Sequence, residues 1–364
     1  MDDYWESETI STVTGPKPLS SLGITLTHEH IFCNFTNCFT PAPCMNPFAN
    51  YQAKFSFKNL NQFNQYPYSS LYNLTLNDED TIQNMQNELK IFKNFNGCTI
   101  VENSSSGLQF DRLLLKQISE EIKINIIFGT GYYTAKVQNT LDLETTKEDM
   151  ISWMTWCLGG LPTKIPELKK YEMKAGFIGE VGSTWPIQDF ERRSISATGE
   201  VQQEFHCPVS FNPGLNPSAP SEILRIYQES GGDARKAVIS HVDCIFNNEE
   251  QVMEFLDLED TYIGLSMFGT ECSLYNPDMQ ENILSDAQRV ALLSLLKEEQ
   301  RLDRVLISHG IHTKNRLKCY GGHGYYHILE NILPYMHAKK FTESDINMLL
   351  VENPRSWLTW HLNT

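Results

Sequence analysis

Short apolar segments alternate with longer amphipathic segments along most of the chain. The apolar segments have the length and β-branched content of strands, and eight of them can be counted. The predicted strands are Thr25–Phe32, Thr99–Ser106, Ile124–Tyr133, Ala175–Gly182, Cys207–Gly214, Ala237–Cys244, Tyr262–Gly269 and Arg304–Ile311. The predicted helices between them include Asp80–Phe95, Asp111–Glu121, Ser221–Glu229, Glu249–Leu258 and Asp286–Glu299.

Eight βα repeats favour a (β/α)8 TIM barrel, in which active-site residues lie at the C-terminal ends of the strands. An open doubly wound sheet is the alternative. The length of 364 residues suits one large barrel, so we expect a single domain over residues 1–364. The segment at about 33–77 is too long for an ordinary βα loop. Its aromatic content predicts an ordered loop across the barrel mouth, with a flexible surface insertion as the alternative.

Charge and cysteine usage narrow the range of partners and compartments. The formal net charge of −16 argues against nucleic acid and against an acidic membrane surface as partners. No apolar run approaches the length of a transmembrane helix, and the acidic N-terminal segment lacks the regions of a signal peptide. The nine cysteines include no C-x-x-C pair, which indicates reduced thiols. We therefore expect a cytoplasmic protein that acts on a small molecule.

Polar residues at the predicted strand ends form a candidate metal site. His28 and His30 are two residues apart in a strand, so their side chains point to the same side. Glu180 lies between glycines in an otherwise apolar strand, where an unpaired charge is costly, and His241 ends the sixth strand. Histidine and carboxylate ligands suit zinc and similar ions. Such an ion lowers the pKa of bound water to about 7, so the pattern predicts a hydrolase.

Each of these residues also has a simpler structural explanation. An H-x-H pair can arise by chance in a chain with 10 histidines. His241 could be a hydrogen-bonded core histidine, and Glu180 could pair with an arginine. Their joint placement at strand ends, in barrel order, makes a metal site as good an explanation of the pattern as these alternatives.

At these residues the sequence resembles the phosphotriesterase family, specifically its animal branch, the phosphotriesterase-related proteins. The resemblance covers nearly the whole chain, in order and at matching spacing. The matching segments are Leu26–His30, Ile100–Ser104, Gly176–Gly182, Ser240–Asp243, Phe268–Glu271, Ile311–Lys314, Gly321–Tyr325 and Val351–Pro354 with Trp357.

The resemblance implies an amidohydrolase-like (β/α)8 barrel with two metal ions at its mouth. It implies that His28 and His30 ligate the more buried ion, that Glu180 is the bridging carboxylate and that His241 ligates the second ion. The sequence departs from the family pattern at two positions. Asn212 stands where the fifth strand usually has a histidine ligand, and Gly310 stands where the eighth strand usually has an aspartate.

The two departures set the expected cofactor content. The family's aspartate is both a ligand and a proton acceptor, and glycine can be neither. An amide oxygen from Asn212 is a poorer ligand than imidazole for a zinc-like ion. We therefore expect a divalent cation, zinc, at one or two ions per chain, with one ion firmly held and the second weak or absent. No residue is assigned as the catalytic base.

The loop after the eighth strand supplies candidate substrate-binding residues, Lys314, Tyr320 and His323. Cations beside a metal could receive an anionic group, and a solvated basic loop is the alternative. The predicted function is metal-dependent hydrolysis of a small-molecule ester, amide or phosphoester, such as a small N-acyl anion. The alternative is a catalytically impaired relative that binds a metabolite or a protein partner. Asn212 and Gly310 support it, because loss of a general base costs roughly 10²–10⁴ in rate.

Overall fold

Eight parallel strands lie side by side in chain order and form the barrel that the sequence predicts. The computed structural model describes residues 8–43, 50–160, 172–246, 248–272 and 283–360. An antiparallel hairpin, β1 (Thr9–Thr12) and β2 (Gly15–Pro18), precedes the barrel. The barrel strands are β3 (Ile24–Glu29), β4 (Gly97–Glu102), β5 (Asn125–Thr130), β6 (Phe177–Gly182), β7 (Val209–Asn212), β8 (Ala237–Ile239), β9 (Tyr262–Leu265) and β10 (Val305–Ile307).

The two edges of this sheet meet beside the H-x-H pair. The Gly310 N–H donates to the His28 carbonyl at 3.0 Å, and the His28 N–H donates to the Ser308 hydroxyl at 3.0 Å. These contacts join the end of β3 to the chain that follows β10. The C-terminal ends of the first and eighth barrel strands are thereby held together at the candidate site.

Helices follow most of the barrel strands, and their apolar faces pack against the sheet. The α-helices are α1 (Leu60–Gln65), α2 (Glu79–Asn94), α3 (Arg112–Ile122), α4 (Thr140–Leu143), α5 (Lys147–Gly159), α6 (Asp189–Phe205), α7 (Ala219–Glu229), α8 (Val242–Ile245), α9 (Glu249–Leu258), α10 (Asp286–Glu298), α11 (Leu333–Ala338), α12 (Glu343–Asn347) and α13 (Asn353–Leu358). Two π-helical segments, Ile328–Ile332 and Met348–Glu352, lead into α11 and α13. None of the helices in the described ranges is long and apolar enough to cross a membrane.

A second, smaller apolar cluster fills the space within the ring of strands. Val101, Ile127, Val238 and Leu306 come from four different strands and pack together with Trp357. Side chains that meet from different barrel strands must point inward, as in other barrels of this type. This packing closes the barrel below the site and leaves the polar strand ends at the opposite mouth.

The long segment after β3 is attached to the chain that follows β10. The buried Asn73 amide donates to Asn315 Oδ1 at 3.0 Å, and its oxygen accepts the Asn315 N–H at 2.8 Å. The segment contains α1 and two short 3₁₀ helices, Thr36–Cys38 and Pro67–Ser69. Its residues 44–49 lie outside the described residues. Its attachment places aromatic side chains beside the barrel mouth.

Candidate metal centre

His28, His30 and Glu180 converge at the mouth of the barrel. Each offers a ligand atom, and these atoms lie within 4.8 Å of one another. His28 Nε2 is 3.2 Å from Glu180 Oε1, and His30 Nε2 is 4.0 Å from Glu180 Oε2. All three side chains are buried. The i and i+2 spacing at the end of β3, with His30 directly after the strand, turns both imidazoles towards the carboxylate, as the alternation of strand side chains predicts.

Serine hydroxyls orient the two imidazoles. His28 Nδ1 lies 3.0 Å from Ser240 Oγ, and His30 Nδ1 lies 3.0 Å from Ser104 Oγ. Burial lowers the pKa of both rings well below the ordinary value, and neighbouring histidines lower it further. The rings are therefore neutral. When Nδ1–H donates to serine, the lone pair of each Nε2 faces Glu180, which is the arrangement of a metal-ligating histidine.

The Glu180 carboxylate is fully buried. Neither of its oxygens, nor His28 Nε2, has a hydrogen-bond partner within the described residues. Burial raises the pKa of Glu180 to about 8, although the neighbouring Asn212 amide opposes this rise. A buried polar group without a partner is costly, and a divalent cation between these atoms would satisfy all of them. The residues present therefore fit the ion that the fold family implies.

Glycine at position 129 allows the strand that carries Glu180 to approach its neighbour closely. A Cβ atom at Gly129 would lie 2.0 Å from the Gly179 carbonyl oxygen. No other residue leaves that space free. The position of the backbone beside Glu180 thus depends on the absence of a side chain at Gly129 on β5.

His241 lies beside this group of three rather than within it. Its Nε2 is 3.8 Å from Glu180 Oε1, and its ring centroid is 4.6 Å from that of His28. Burial lowers the pKa of His241 to about 4, so this ring too is neutral. The four ligands expected from the sequence are therefore brought together, with His241 on the outer side.

The two departures from the family pattern have different structural settings. The Asn212 side chain donates its Nδ2–H to the Tyr133 hydroxyl at 3.0 Å. Gly310 has a φ of +58°, and a Cβ atom there would lie 2.5 Å from the Ser266 carbonyl oxygen and 3.4 Å from His241 Cε1. The position thus points at the ligand cluster but has no room for a side chain in this backbone conformation.

Glu29, the residue between the two histidines, organises the opposite side of the strand. Its Oε1 accepts from the Ser308 hydroxyl, the His309 N–H and His309 Nδ1–H, each at 2.8 Å, and its Oε2 accepts from the Ile311 N–H at 3.0 Å. The carboxylate is fully buried. Sequence reasoning missed this role. Its signal was an acidic residue facing away from the two histidines in an otherwise apolar strand.

A cavity of about 580 Å³ opens above the cluster, and His30 and His241 reach its wall. Among the described residues that line the cavity, none carries a carboxylate and one, Lys136, is a lysine. The His312 ring also lines it, with Nδ1–H donating to the Gly310 carbonyl and Nε2 accepting from the Tyr68 hydroxyl, both at 2.7 Å. The cavity is therefore partly cationic within a strongly acidic protein.

The loop residues predicted to bind substrate have other contacts. Lys314 is buried, forms an ion pair with Asp78 and lies over the Tyr72 ring at 3.7 Å. The Tyr320 hydroxyl accepts from Asn84, and the His323 ring stacks on His327 with centroids 4.1 Å apart. None of the three lines the described wall of the cavity. Their role in substrate binding stays a prediction.

Comparisons with known proteins match nearly the whole chain. The model of the phosphotriesterase family matches residues 8–358. A phosphotriesterase-related protein of Drosophila persimilis is 40% identical over 352 residues, covering 96% of this chain and 99% of that protein. An N-acetyltaurine hydrolase of Salmo salar is 40% identical over 353 residues, covering 96% and 98%. A resiniferatoxin-binding protein from Rhodobacter sphaeroides has a solved structure that superposes with a TM-score of 0.88, at 24% identity and with coverage of 98% and 96%.

Proposed function

The chain belongs to the phosphotriesterase family, and on this premise we propose that it is a metal-dependent hydrolase of a small-molecule ester, amide or phosphoester. One observation carries the proposal. His28 Nε2 and both Glu180 oxygens are buried without hydrogen-bond partners in the described residues, below a cavity of about 580 Å³. Such a set of atoms is suited to a cation that lies next to a bound substrate.

The proposed cofactor is zinc, with one ion firmly held by His28, His30 and Glu180. Two imidazoles and one carboxylate are a sufficient set for a catalytic zinc. His241 lies near a second position, where Asn212 stands in place of the family's histidine ligand. A second ion is therefore weak or absent. When bound, a zinc ion supplies Lewis-acid polarisation of the bond that is cleaved.

Residues of the cavity wall bind and orient the substrate in this proposal. The Tyr133 phenol is fixed by the hydrogen bond from Asn212 and faces the cavity beside His30. Lys136 on the wall can pair with a carboxylate or sulfonate of the substrate. An amide substrate would be cleaved by water, with the hydroxyl oxygen adding to the acyl carbon and the amine leaving with the proton. The relatives named N-acetyltaurine hydrolase support an N-acyl anion as the substrate class.

A panel of N-acyl anions, esters and phosphoesters, assayed with added zinc or manganese, tests the proposal. His28→Ala should lose both activity and bound zinc. His337→Ala is the matched control, since His337 is half exposed and its ion pair with Glu343 at 3.4 Å lies outside the site. Activity that persists in His28→Ala would contradict the metal mechanism. Activity that appears only in a chain with both Asn212→His and Gly310→Asp would contradict hydrolysis by the natural chain.

A second candidate function is supported by the backbone at Gly310. Its left-handed conformation and the nearby Ser266 carbonyl exclude a Cβ atom, so the backbone at this position suits glycine and not the family's aspartate. A chain without that group could keep one ion and bind a metabolite or a protein partner without cleaving it. Substrate anions that bind the zinc-loaded protein but never turn over would favour this second function.

A further inference from the structure

The cavity is large compared with an acetyl group. Its volume of about 580 Å³ falls within the range of roughly 300–1,000 Å³ that is typical of pockets for drug-sized ligands. An acetyl group has two carbons and would leave most of this space to water. A ligand that fills this cavity must therefore extend well beyond the bond that is cleaved.

One wall of the cavity is apolar and exposed. Trp185 and Leu215 line it and are 40% and 41% exposed, and they are two of the seven large apolar side chains exposed among the described residues. Pro213, Pro217 and Met267 contribute to the same lining. Large apolar side chains at a cavity mouth are typical of ligand binding, since they gain free energy when a ligand removes them from water.

The two loops that carry Trp185 and Leu215 are in direct contact. A Cβ atom at Gly214 would lie 2.5 Å from the Trp185 backbone nitrogen and 3.0 Å from its Cβ. Leu215 follows Gly214 in the chain, so the indole and the leucine belong to one continuous surface. That surface lies at the ends of β7 and of β6, the strand that carries Glu180.

A buried carboxylate fixes the Trp185 side of this surface before any ligand arrives. Glu191 accepts from the Thr184 N–H at 2.9 Å, the Gln188 N–H at 3.0 Å and the Ala135 N–H at 3.1 Å. It is fully buried. One side chain thus holds the loop that carries Trp185 and the turn that carries Lys136. A wall that is already ordered binds a ligand without the entropic cost of ordering it.

We propose that the natural substrate carries an apolar acyl group of several carbons, which Trp185 and Leu215 bind, while Lys136 receives an anionic group at the polar side of the cavity. The proposal rests on the proposed function, because it assigns the two ends of a substrate to the same site. It departs from the acetyl group in the names of the relatives. Trp185 and Leu215 are then the residues that set acyl-chain specificity.

The test uses the zinc-loaded full chain and three probes that differ only in acyl length: N-acetyltaurine, N-butyryltaurine and N-hexanoyltaurine. Each buried methylene contributes a factor of about three to four in affinity. The hexanoyl probe has four methylenes more than the acetyl probe, so we expect kcat/KM to rise about a hundredfold if all four are buried. Trp185→Ala and Leu215→Ala should flatten the series, mainly through KM. Leu141→Ala is the control, since Leu141 is 80% exposed and does not line the cavity.

Calorimetric binding of the same three probes separates this inference from the proposed function. Tighter binding of the hexanoyl probe that is lost in Trp185→Ala supports the inference even if no probe is cleaved. Absence of cleavage for all probes would count against the proposed function alone. Equal or decreasing affinity along the series, or a series unchanged in both variants, would overturn the inference.

Discussion

At the scale of single residues, the sequence predicts which side chains converge better than it predicts the groups that orient them. The spacing of His28 and His30 predicts that their rings face the same side, because side-chain alternation in a strand is a local rule. The serines that hold their rings, Ser240 and Ser104, lie 212 and 74 positions away in the chain. Nothing in a single sequence connects residues at such separations. The same holds for Glu29, whose partners lie at 308–311.

Replacing Glu29 with glutamine should lower both the stability of the fold and the zinc affinity of the proposed site. The amide would present N–H groups to backbone donors, so at least one buried donor loses its acceptor. We expect the free energy of unfolding to fall by about 1–3 kcal/mol. Since Ser308 links Glu29 to the His28 backbone, zinc affinity should fall by about 10–100-fold. Zinc titration and urea unfolding measure these effects. The control Glu298→Gln alters an exposed glutamate, and equal zinc affinity in both variants would contradict the role of Glu29.

Restoring the family's aspartate at Gly310 should destabilise the chain. A Cβ atom would lie 2.5 Å from the Ser266 oxygen, and the φ of +58° is unfavourable for residues other than glycine. We expect Gly310→Asp and Gly310→Ala to lose about 1–3 kcal/mol of stability in the absence of metal. Thermal unfolding of both variants separates the cost of the Cβ atom from any effect of the carboxylate. An aspartate variant as stable as the natural chain, with an additional zinc ion, would show that the backbone accommodates it.

At the scale of elements, local signals predicted helices better than strand ends. Asp111 and Ser285 cap α3 and α10 within a residue of the predicted starts, because a helix cap is encoded in adjacent residues. Seven of the eight predicted strands run on past their true ends, and the fourth ends at Gly182 as β6 does. After β10, the N–H groups of His309 and Ile311 bond to Glu29 instead of to a neighbouring strand. Apolar content alone could not reveal where pairing between strands stops.

The N-terminus of α10 should make the stability of the fold depend on pH. Although burial opposes ionisation, the hydrogen bond from His327 and the charge of Arg289 lower the pKa of Asp286 to about 2. Because this value lies below that of the unfolded chain, the ionised carboxylate stabilises the fold above about pH 4 and its contribution is lost as the pH falls towards 2. Asp286→Asn should therefore cost about 2 kcal/mol at pH 7.

Denaturant unfolding of the natural chain and Asp286→Asn at several pH values measures this contribution. The difference between the two chains should shrink as the pH falls from about 4 towards 2, where Asp286 becomes protonated. Asp303→Asn, at an exposed aspartate, is the control and should show no such trend. A difference that stays constant over that range would contradict the assignment to Asp286.

At the scale of the whole molecule, repetition made the fold predictable. Eight βα repeats and the order of polar strand ends predicted the barrel, and the family resemblance is confirmed by the match over residues 8–358. One apolar cluster extends from Val13 to Leu350, in keeping with the single domain, which stays a prediction. The shape of the cavity could not be predicted, because it depends on how the loops after β5, β6 and β7 pack on one another. Loop packing is set by distant contacts such as those of Glu191.

The metal ion should stabilise the entire barrel. Its proposed ligands come from the end of β3 and from β6, so a bound ion links elements that are far apart in the chain. An ion that binds only the folded state adds about 2.7 kcal/mol of stability when its concentration is a hundred times the dissociation constant. Zinc added to chelator-treated protein should therefore raise the unfolding temperature by several degrees, as differential scanning calorimetry can measure. His28→Ala and His30→Ala should abolish the rise, whereas His337→Ala should keep it. An unfolding temperature that zinc leaves unchanged in the natural chain would mean that the buried cluster holds no ion, and that the costly isolation of Glu180 is tolerated for another reason.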